Sequence, residues 1–534
     1  MGGRQRLRLS GQDALWLAMD KPGNLMVVDS LFWTAGPVDW DRFRQVMRER
    51  FWDPYAAVRS VIVRDEDGGL CWEEAPDAEL DDRFEHVVLP APGGDAELQE
   101  LISAQRILPL DRGEPLWRAI LVDGFHGGSA VLFRTHHSIA DGIRMVQLVL
   151  RVLDTTPDGT PPRPVATKKH ASTTSRARDR PASTLTDRAV AAAGTSVQVA
   201  RGALTNPVGA AHSALALSGS LLGRLGALPV VSALPGDVDT ARKLVLGTRN
   251  DTTAWTGTVG ERKAIAWVPP LSLAEVKAVA HAHGATANDV LVSCVAQSLR
   301  AYLEAHDAVC HSVTWDVPVN LKPFDPDLPV ELGNGFALVQ LELPTNIDDP
   351  VRALQVVRRR MSRIKNGHEA AVDYGIQAAI GRMSTVLYRA TIDLLANRAV
   401  GVLTNVPGPQ VPLYVAGQKV EAMLGWAPLT ADQAMSLTIY SYDGKVFVGL
   451  AADAGLVPDH RQVVDGFVEA FDRLAERTAL PPQAVRRLSG STAASSQGRT
   501  SAVAAATVAA TTRRTSRATR PPTKDAGAAP TSQP

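Results

Sequence analysis

The sequence predicts a mixed α/β protein built from two folded lobes, and three observations lead there. Strand-like runs alternate with helix-like stripes in both halves, as where Trp117–Val122 and Ala130–Thr135 precede a stripe at Ile143, Val146 and Leu150. A strand–loop–aspartate–helix unit recurs near the end of each half. Ala130–Thr135 leads to Asp141 and a helix; Lys445–Ala451 leads to Asp453, Asp459 and a helix carrying Val463, Phe467 and Phe471. Finally, two segments depart from globular composition, one dividing the chain and one ending it.

These departures set the predicted boundaries: a first lobe over 7–154, a linker with an Ala/Leu-rich helical segment over 155–239, a second lobe over 240–480, and a tail over 481–534. The linker from Asp154 to about Arg188 is rich in Pro, Thr, Ser and Arg and too poor in apolar residues to offset chain entropy. The tail carries Arg513, Arg514, Arg517, Arg520 and Lys524 against the single acid Asp525, and is expected to be disordered and basic.

Within the first lobe, the two runs flanking Asp123–Ser129 are expected to form a hairpin. The second lobe is expected to open with a helix capped by Ser272 and Glu275 and stopped at Gly284. A second helix begins at Thr286, with Asp289 in capping-box spacing and an apolar stripe at Leu291, Val295, Leu299 and Tyr302.

Composition narrows the function. A chain of 534 residues exceeds one ordinary core, and 45% hydrophobic with 21% charged residues is globular. Lys+Arg 56 balances Asp+Glu 56, which argues against a general nucleic-acid binder. Cys71, Cys294 and Cys310 form no C-x-x-C and no disulfide framework, and suit a reducing compartment. Arg4, Arg6 and Arg8 are followed by no apolar run, so no signal peptide is expected. No run approaches the roughly 18 apolar residues of a spanning helix; the nearest, between Arg201 and Arg224, is broken by Asn206, Pro207 and His212.

The most informative run is Arg134-Thr135-His136-His137-Ser138-Ile139-Ala140-Asp141-Gly142, where a strand ends in a loop. Adjacent residues of a strand face opposite sides, so the two histidines make a poor chelating pair, and no metal site is expected. Two readings of the run stand. In one, a histidine facing a cleft is a general base, neutral near pH 7, with Asp141 orienting it or pairing with an arginine. In the other, the histidine is packed in the core and Asp141 is a helix N-cap. Gly142 is read as giving the chain freedom to turn into the helix. The sequence contains no G-x-S-x-G elbow, no Walker loop and no G-x-G-x-x-G fingerprint.

His136-His137-Ser138-Ile139-Ala140-Asp141-Gly142 resembles the H-H-x-x-x-D-G motif of acyltransferases related to chloramphenicol acetyltransferase and peptide-synthetase condensation domains. Within that superfamily the chain resembles the bacterial wax ester synthase/diacylglycerol acyltransferase family from about Leu9 to Leu480. The likeness includes Leu9-Ser10-Gly11-Gln12-Asp13-Ala14-Leu15, Pro115-Leu116-Trp117, Asn288-Asp289-Val290-Leu291, Gly333-Asn334, and Asn405-Val406-Pro407-Gly408-Pro409 with Pro412-Leu413-Tyr414.

The resemblance implies two chloramphenicol-acetyltransferase-like lobes with an active-site tunnel between them. It implies that His137 deprotonates an acceptor hydroxyl, that His136 supports it, and that Asp141 holds the loop through a salt bridge. Pro115, Leu116, Trp117, Asn288 and Asp289 belong to motifs associated with the site, although Pro115 also suits a strand-start turn and Asp289 a capping partner for Thr286. Thr404 or Asn405 would supply the oxyanion donor. Acyl-CoA is then a substrate and no cofactor is required. The acceptor is a diacylglycerol or, alternatively, a fatty alcohol. The location implied is cytoplasmic, peripheral to the inner membrane or lipid droplets. A non-catalytic lipid-surface protein on the same scaffold is the rival from another class, and the intact His136, His137 and Asp141 argue against it.

Overall fold

The computed structural model describes residues 6–75, 77–159, 253–308, 310–320, 336–366 and 396–478, together with Leu328, Leu332 and Asn334. All lie in the compact unit Met1–Val485; a second unit is Arg486–Pro534. The linker beyond residue 159, the Ala/Leu-rich segment and the basic tail lie outside the described residues.

The first large sheet runs in the order β13 (Tyr414–Val415), β14 (Gln418–Trp426), β2 (Val27–Thr34), β7 (Gly128–His136), β6 (Trp117–Phe125) and β5 (Phe84–Val88). The expected hairpin is its centre, with longer strands than the apolar runs alone suggested. His126 and Gly127 both have positive φ, 50° and 81°, so the connection is a tight two-residue turn whose twist lets pairing continue almost to it. Helices α1 (Gly11–Met19), α2 (Trp40–Met47), α3 (Asp95–Arg106) and α4 (Gly142–Arg151) accompany this sheet. A small sheet of β1 (Arg6–Arg8), β4 (Leu70–Glu74) and β3 (Ser60–Arg64) stands beside it in the chain.

The second large sheet has the order β11 (Phe336–Pro344), β10 (Ser312–Asn320), β12 (Gly401–Pro407), β15 (Met435–Tyr442), β16 (Lys445–Asp453) and β8 (Lys263–Trp267), with β9 (Leu271–Ser272) also on β16. The Ser272 hydroxyl caps α5 (Leu273–Ala282), and Gly284 follows it with φ +59°. Thr286 and Asp289 close both hydrogen bonds of the capping box at the start of α6 (Ala287–Ala305). The predicted stripe on α6 is buried, but so is every residue from Asp289 to Leu299. This helix is central, packed against α5, α7 (Pro350–Asn366) and α8 (His460–Arg477), so its periodicity understated its burial.

The two halves of the chain are interleaved. β14, from the second half, pairs with β2 of the first, Gly425 opposite Ser30 and Trp426 opposite Asp29. Trp33 of β2 packs on Trp267 and Phe447 of the second sheet, with ring centroids 5.9 and 6.3 Å away. Among the described residues, no helix is long and apolar enough to cross a membrane.

Candidate active site

The histidine loop begins where β7 runs out of partners. The His136 amide donates to Leu116 O at 2.9 Å, and the His137 amide to Met26 O at 2.8 Å. The backbone is therefore held from both sides just as it leaves the sheet. The two side chains then take different surroundings, as the strand argument required.

His136 is hydrogen-bonded through both ring nitrogens. The Ser138 amide donates to its Nδ1 at 3.1 Å, which leaves Nε2–H to donate to Asp20 Oδ2 at 3.2 Å. Burial opposes ionisation of Asp20, but hydrogen bonds from His136, the Met26 amide and Arg112 outweigh it and hold the carboxyl below its ordinary range.

His137 lies in an aromatic clasp. Its ring centroid is 4.6 Å from that of Trp16 on α1 and 5.2 Å from that of Phe336 at the start of β11. Burial drives its pKa down to about 4, with His136 acting in the same direction. Its Nδ1 has no hydrogen-bond partner among the described residues. Packing, rather than a carboxylate, orients this imidazole.

Asn334 ties the clasp together. Its Nδ2 donates to Asp13 Oδ1 at 2.7 Å and to His137 O at 2.9 Å, while the Asp13 amide is capped by Ser10 Oγ at 3.0 Å. Asp13 and Asn334, from two motifs far apart in the sequence, thus meet at the histidine loop.

Asp141 is buried and caps α4, Oδ1 accepting from the Arg144 amide at 3.0 Å. The capping role weighed in the sequence reading is present, on the same residue that closes the histidine loop. Gly142 corrects an expectation: it is the first helical residue and is absent from the positive-φ glycines, so no unusual backbone requires it. A β-carbon there would meet nothing within 4 Å. What the glycine supplies is open space beside the site.

That space is a cavity of about 220 Å³ with a mainly apolar lining. His137, Trp16, Asp141 and Gly142 line it from the first lobe; Phe336, Leu338, Thr404, Asn405, Thr438 and Tyr440 line it from the second sheet. Trp426 and its neighbours on β14 close another side. Asp29 also reaches it, paired in the interior with Arg106 and, at 3.3 Å, with Arg134.

The remaining predicted residues divide. Thr404 and Asn405 reach the cavity. Asn405 Nδ2 donates to Asn288 Oδ1 at 2.7 Å, so Asn288 acts on the cavity wall through it. Asp289 is committed to Thr286. Pro115, Leu116 and Trp117 are absent from the lining; Leu116 O holds His136 and Trp117 Nε1 donates to Val58 O at 2.6 Å. Sequence reasoning assigned no role to Trp16, Asp20, Asp29, Phe336, Thr438, Tyr440 or Trp426. Asp13 and Asn334 carried a signal, as members of quoted motifs; the others are brought in by chain pairing that no local pattern encodes.

The interleaved sheets form a two-lobe α/β fold in which the histidine loop of one faces the strands of the other across an apolar cavity. Residues 9–291 match the wax ester synthase/diacylglycerol acyltransferase catalytic domain, and residues 332–475 match the WS/DGAT C-terminal domain. The chain belongs to this family. A Mycobacterium tuberculosis relative named as a diacylglycerol O-acyltransferase is 27% identical over 506 residues, covering 88% of this chain and 90% of that protein. The O-acyltransferase WSD of Acinetobacter baylyi is 26% identical over 405 residues, 73% of this chain and 80% of its own. In fold, the chain is similar to the wax ester synthase/diacylglycerol acyltransferase of Marinobacter aquaeolei, with TM-score 0.60 and 21% identity over 89% of this chain and 100% of that one. It is also similar to the first condensation domain of the calcium-dependent antibiotic synthetase, with TM-score 0.53 and 18% identity over 90% and 97%.

Proposed function

We propose that this acyltransferase moves a fatty acyl group from acyl-CoA to the hydroxyl of a diacylglycerol, with His137 as general base. The observation that carries the reading is an imidazole that burial keeps neutral, its Nδ1 without a hydrogen-bond partner among the described residues, on the wall of an apolar cavity. The acceptor oxygen attacks the thioester carbon as His137 takes its proton; the new C–O bond forms, and the C–S bond breaks. The departing thiolate of CoA takes the proton back from the imidazolium, so the enzyme ends unchanged and no acyl-enzyme intervenes. A base held at low pKa with no carboxylate behind it surrenders that proton readily.

The negative charge that develops on the thioester oxygen needs a donor, for which Thr404 or Asn405 is proposed. Asn405 already gives one amide hydrogen to Asn288 and has a second to give. A long-chain alcohol is the competing acceptor, because the apolar lining accepts an alkyl chain from either molecule. Peripheral contact with a membrane or lipid-droplet surface is proposed from the apolar acceptor and the basic composition of the tail.

Labelled acyl-CoA supplied with a panel of acceptors tests this. Product should form with wild-type protein and fall by about 10²–10⁴ in His137→Ala. Half or more of the activity surviving in a folded His137→Ala protein removes His137 from the chemistry.

A further inference from the structure

The cavity wall holds polar groups that the transfer step leaves unused. Thr438 Oγ1, the Tyr440 hydroxyl and Trp426 Nε1 are shielded from solvent, and none has a hydrogen-bond partner among the described residues. All three residues line the cavity. Thr438 and Tyr440 lie two apart on β15 and share a face; Trp426 ends β14.

The wall is shaped around the two rings. A β-carbon on Gly408 would lie 2.5 Å from Tyr440 Cε1, and one on Gly449 would lie 3.0 Å from Trp426 Nε1. Tyr442, two residues beyond Tyr440, shows what a purely structural tyrosine does here. Its oxygen accepts from the Leu413 amide at 2.7 Å and donates to Val420 O at 3.0 Å. Buried polar groups without partners are costly, and three around one cavity call for a ligand that satisfies them.

Counting oxygens identifies it. Apart from the amides of the CoA arm, which accompany either acceptor, transfer to a fatty alcohol brings in one hydroxyl, which belongs to His137, and one thioester carbonyl, which belongs to the oxyanion donor. An indole N–H can only donate, so Trp426 needs a further acceptor atom. The two ester carbonyls of a diacylglycerol supply further acceptors.

We propose that Thr438, Tyr440 and Trp426 read the ester carbonyls of the acceptor and so make the site prefer diacylglycerol to fatty alcohol. This rests on the acyl-transfer reading above. The pantetheine arm of acyl-CoA carries amide carbonyls of the same hydrogen-bonding chemistry, so the donor has to be varied separately.

The test compares a diacylglycerol, the dialkylglycerol of equal chain length, which keeps the hydroxyl but lacks the carbonyls, and a fatty alcohol. Wild-type kcat/KM should favour diacyl over dialkyl acceptor by about tenfold, and Tyr440→Phe or Trp426→Phe should remove most of that ratio. The KM for acyl-CoA should move less than about twofold in either variant. Equal wild-type rates on the diacyl and dialkyl acceptors overturn the proposal whether or not the variants fold. So does a ratio untouched in both folded variants, or a change confined to the KM of acyl-CoA, which assigns the groups to the donor. Wild-type protein that acylates none of the three acceptors overturns the acyl-transfer reading itself, and this inference with it.

Discussion

At the scale of single residues, the surroundings of His137 keep its imidazole neutral far into acid. With its pKa near 4, the acid limb of kcat/KM due to this group should lie near pH 4 rather than near 6.5. Rates measured from pH 4 to 8 check this. Folding stability carries the same mark. The unfolded chain protonates His137 near pH 6.5 and the folded one does not, so its contribution is complete above 6.5 and lost as the pH falls toward 4. The whole loss amounts to about 3 kcal/mol, of which about 2 kcal/mol falls between pH 7 and 5, and denaturant titrations at those two pH values should show it in wild-type protein and not in His137→Ala. Asp141 caps α4 through the Arg144 amide. Asp141→Ala removes the α4 cap and should cost about 1 kcal/mol of stability together with activity, since the same loop carries His137. Melting curves and rates on one preparation test the pairing of the two effects.

At the scale of elements, the site depends on groups that join strands and helices behind it. Asp29 of β2 receives Arg106 from α3 and Arg134 from β7, and Arg106 also donates to Ala427 O beyond β14 at 2.9 Å. Burial lowers the Arg134 pKa, and Asp29 opposes that loss. Asp29→Asn leaves two interior cations facing a neutral amide and should cost about 3–5 kcal/mol, visible as a large fall in Tm. An unchanged melting temperature would show the pair to be dispensable. Element starts were legible where the signal is local: Ser272, Thr286 and Asp289 announce their helices because a cap is completed within four residues. The full burial of α6 was not legible, because helices distant in sequence cover its polar-looking side.

At the scale of the whole molecule, the two halves form one structure and not two beads. β14 supplies the neighbour that β2 requires on the edge away from β7, so a fragment ending at residue 159 exposes that edge. Such a fragment should fail to show a cooperative thermal transition by circular dichroism, whereas the full chain should melt with its two lobes together. A sharp transition in the fragment would mean that the first lobe folds without the second. The predicted boundary near residue 154 follows the composition of the chain, whereas the sheet follows hydrogen bonding and ignores it.

The sequence by itself determined the α/β class, the hairpin, the helix caps and the loop His136–Gly142, because each of these is encoded in a few neighbouring residues. It also carried the motifs that place the chain in its family. Only the tertiary structure decided that His137 is neutral between Trp16 and Phe336, that Asn334 joins Asp13 to the histidine loop, and that the polar atoms of Tyr440 and Trp426 have no partner among the described residues. Burial and partnership depend on which distant segments come to lie against a residue, and that is settled by the sheet order and the packing of the lobes rather than by local pattern.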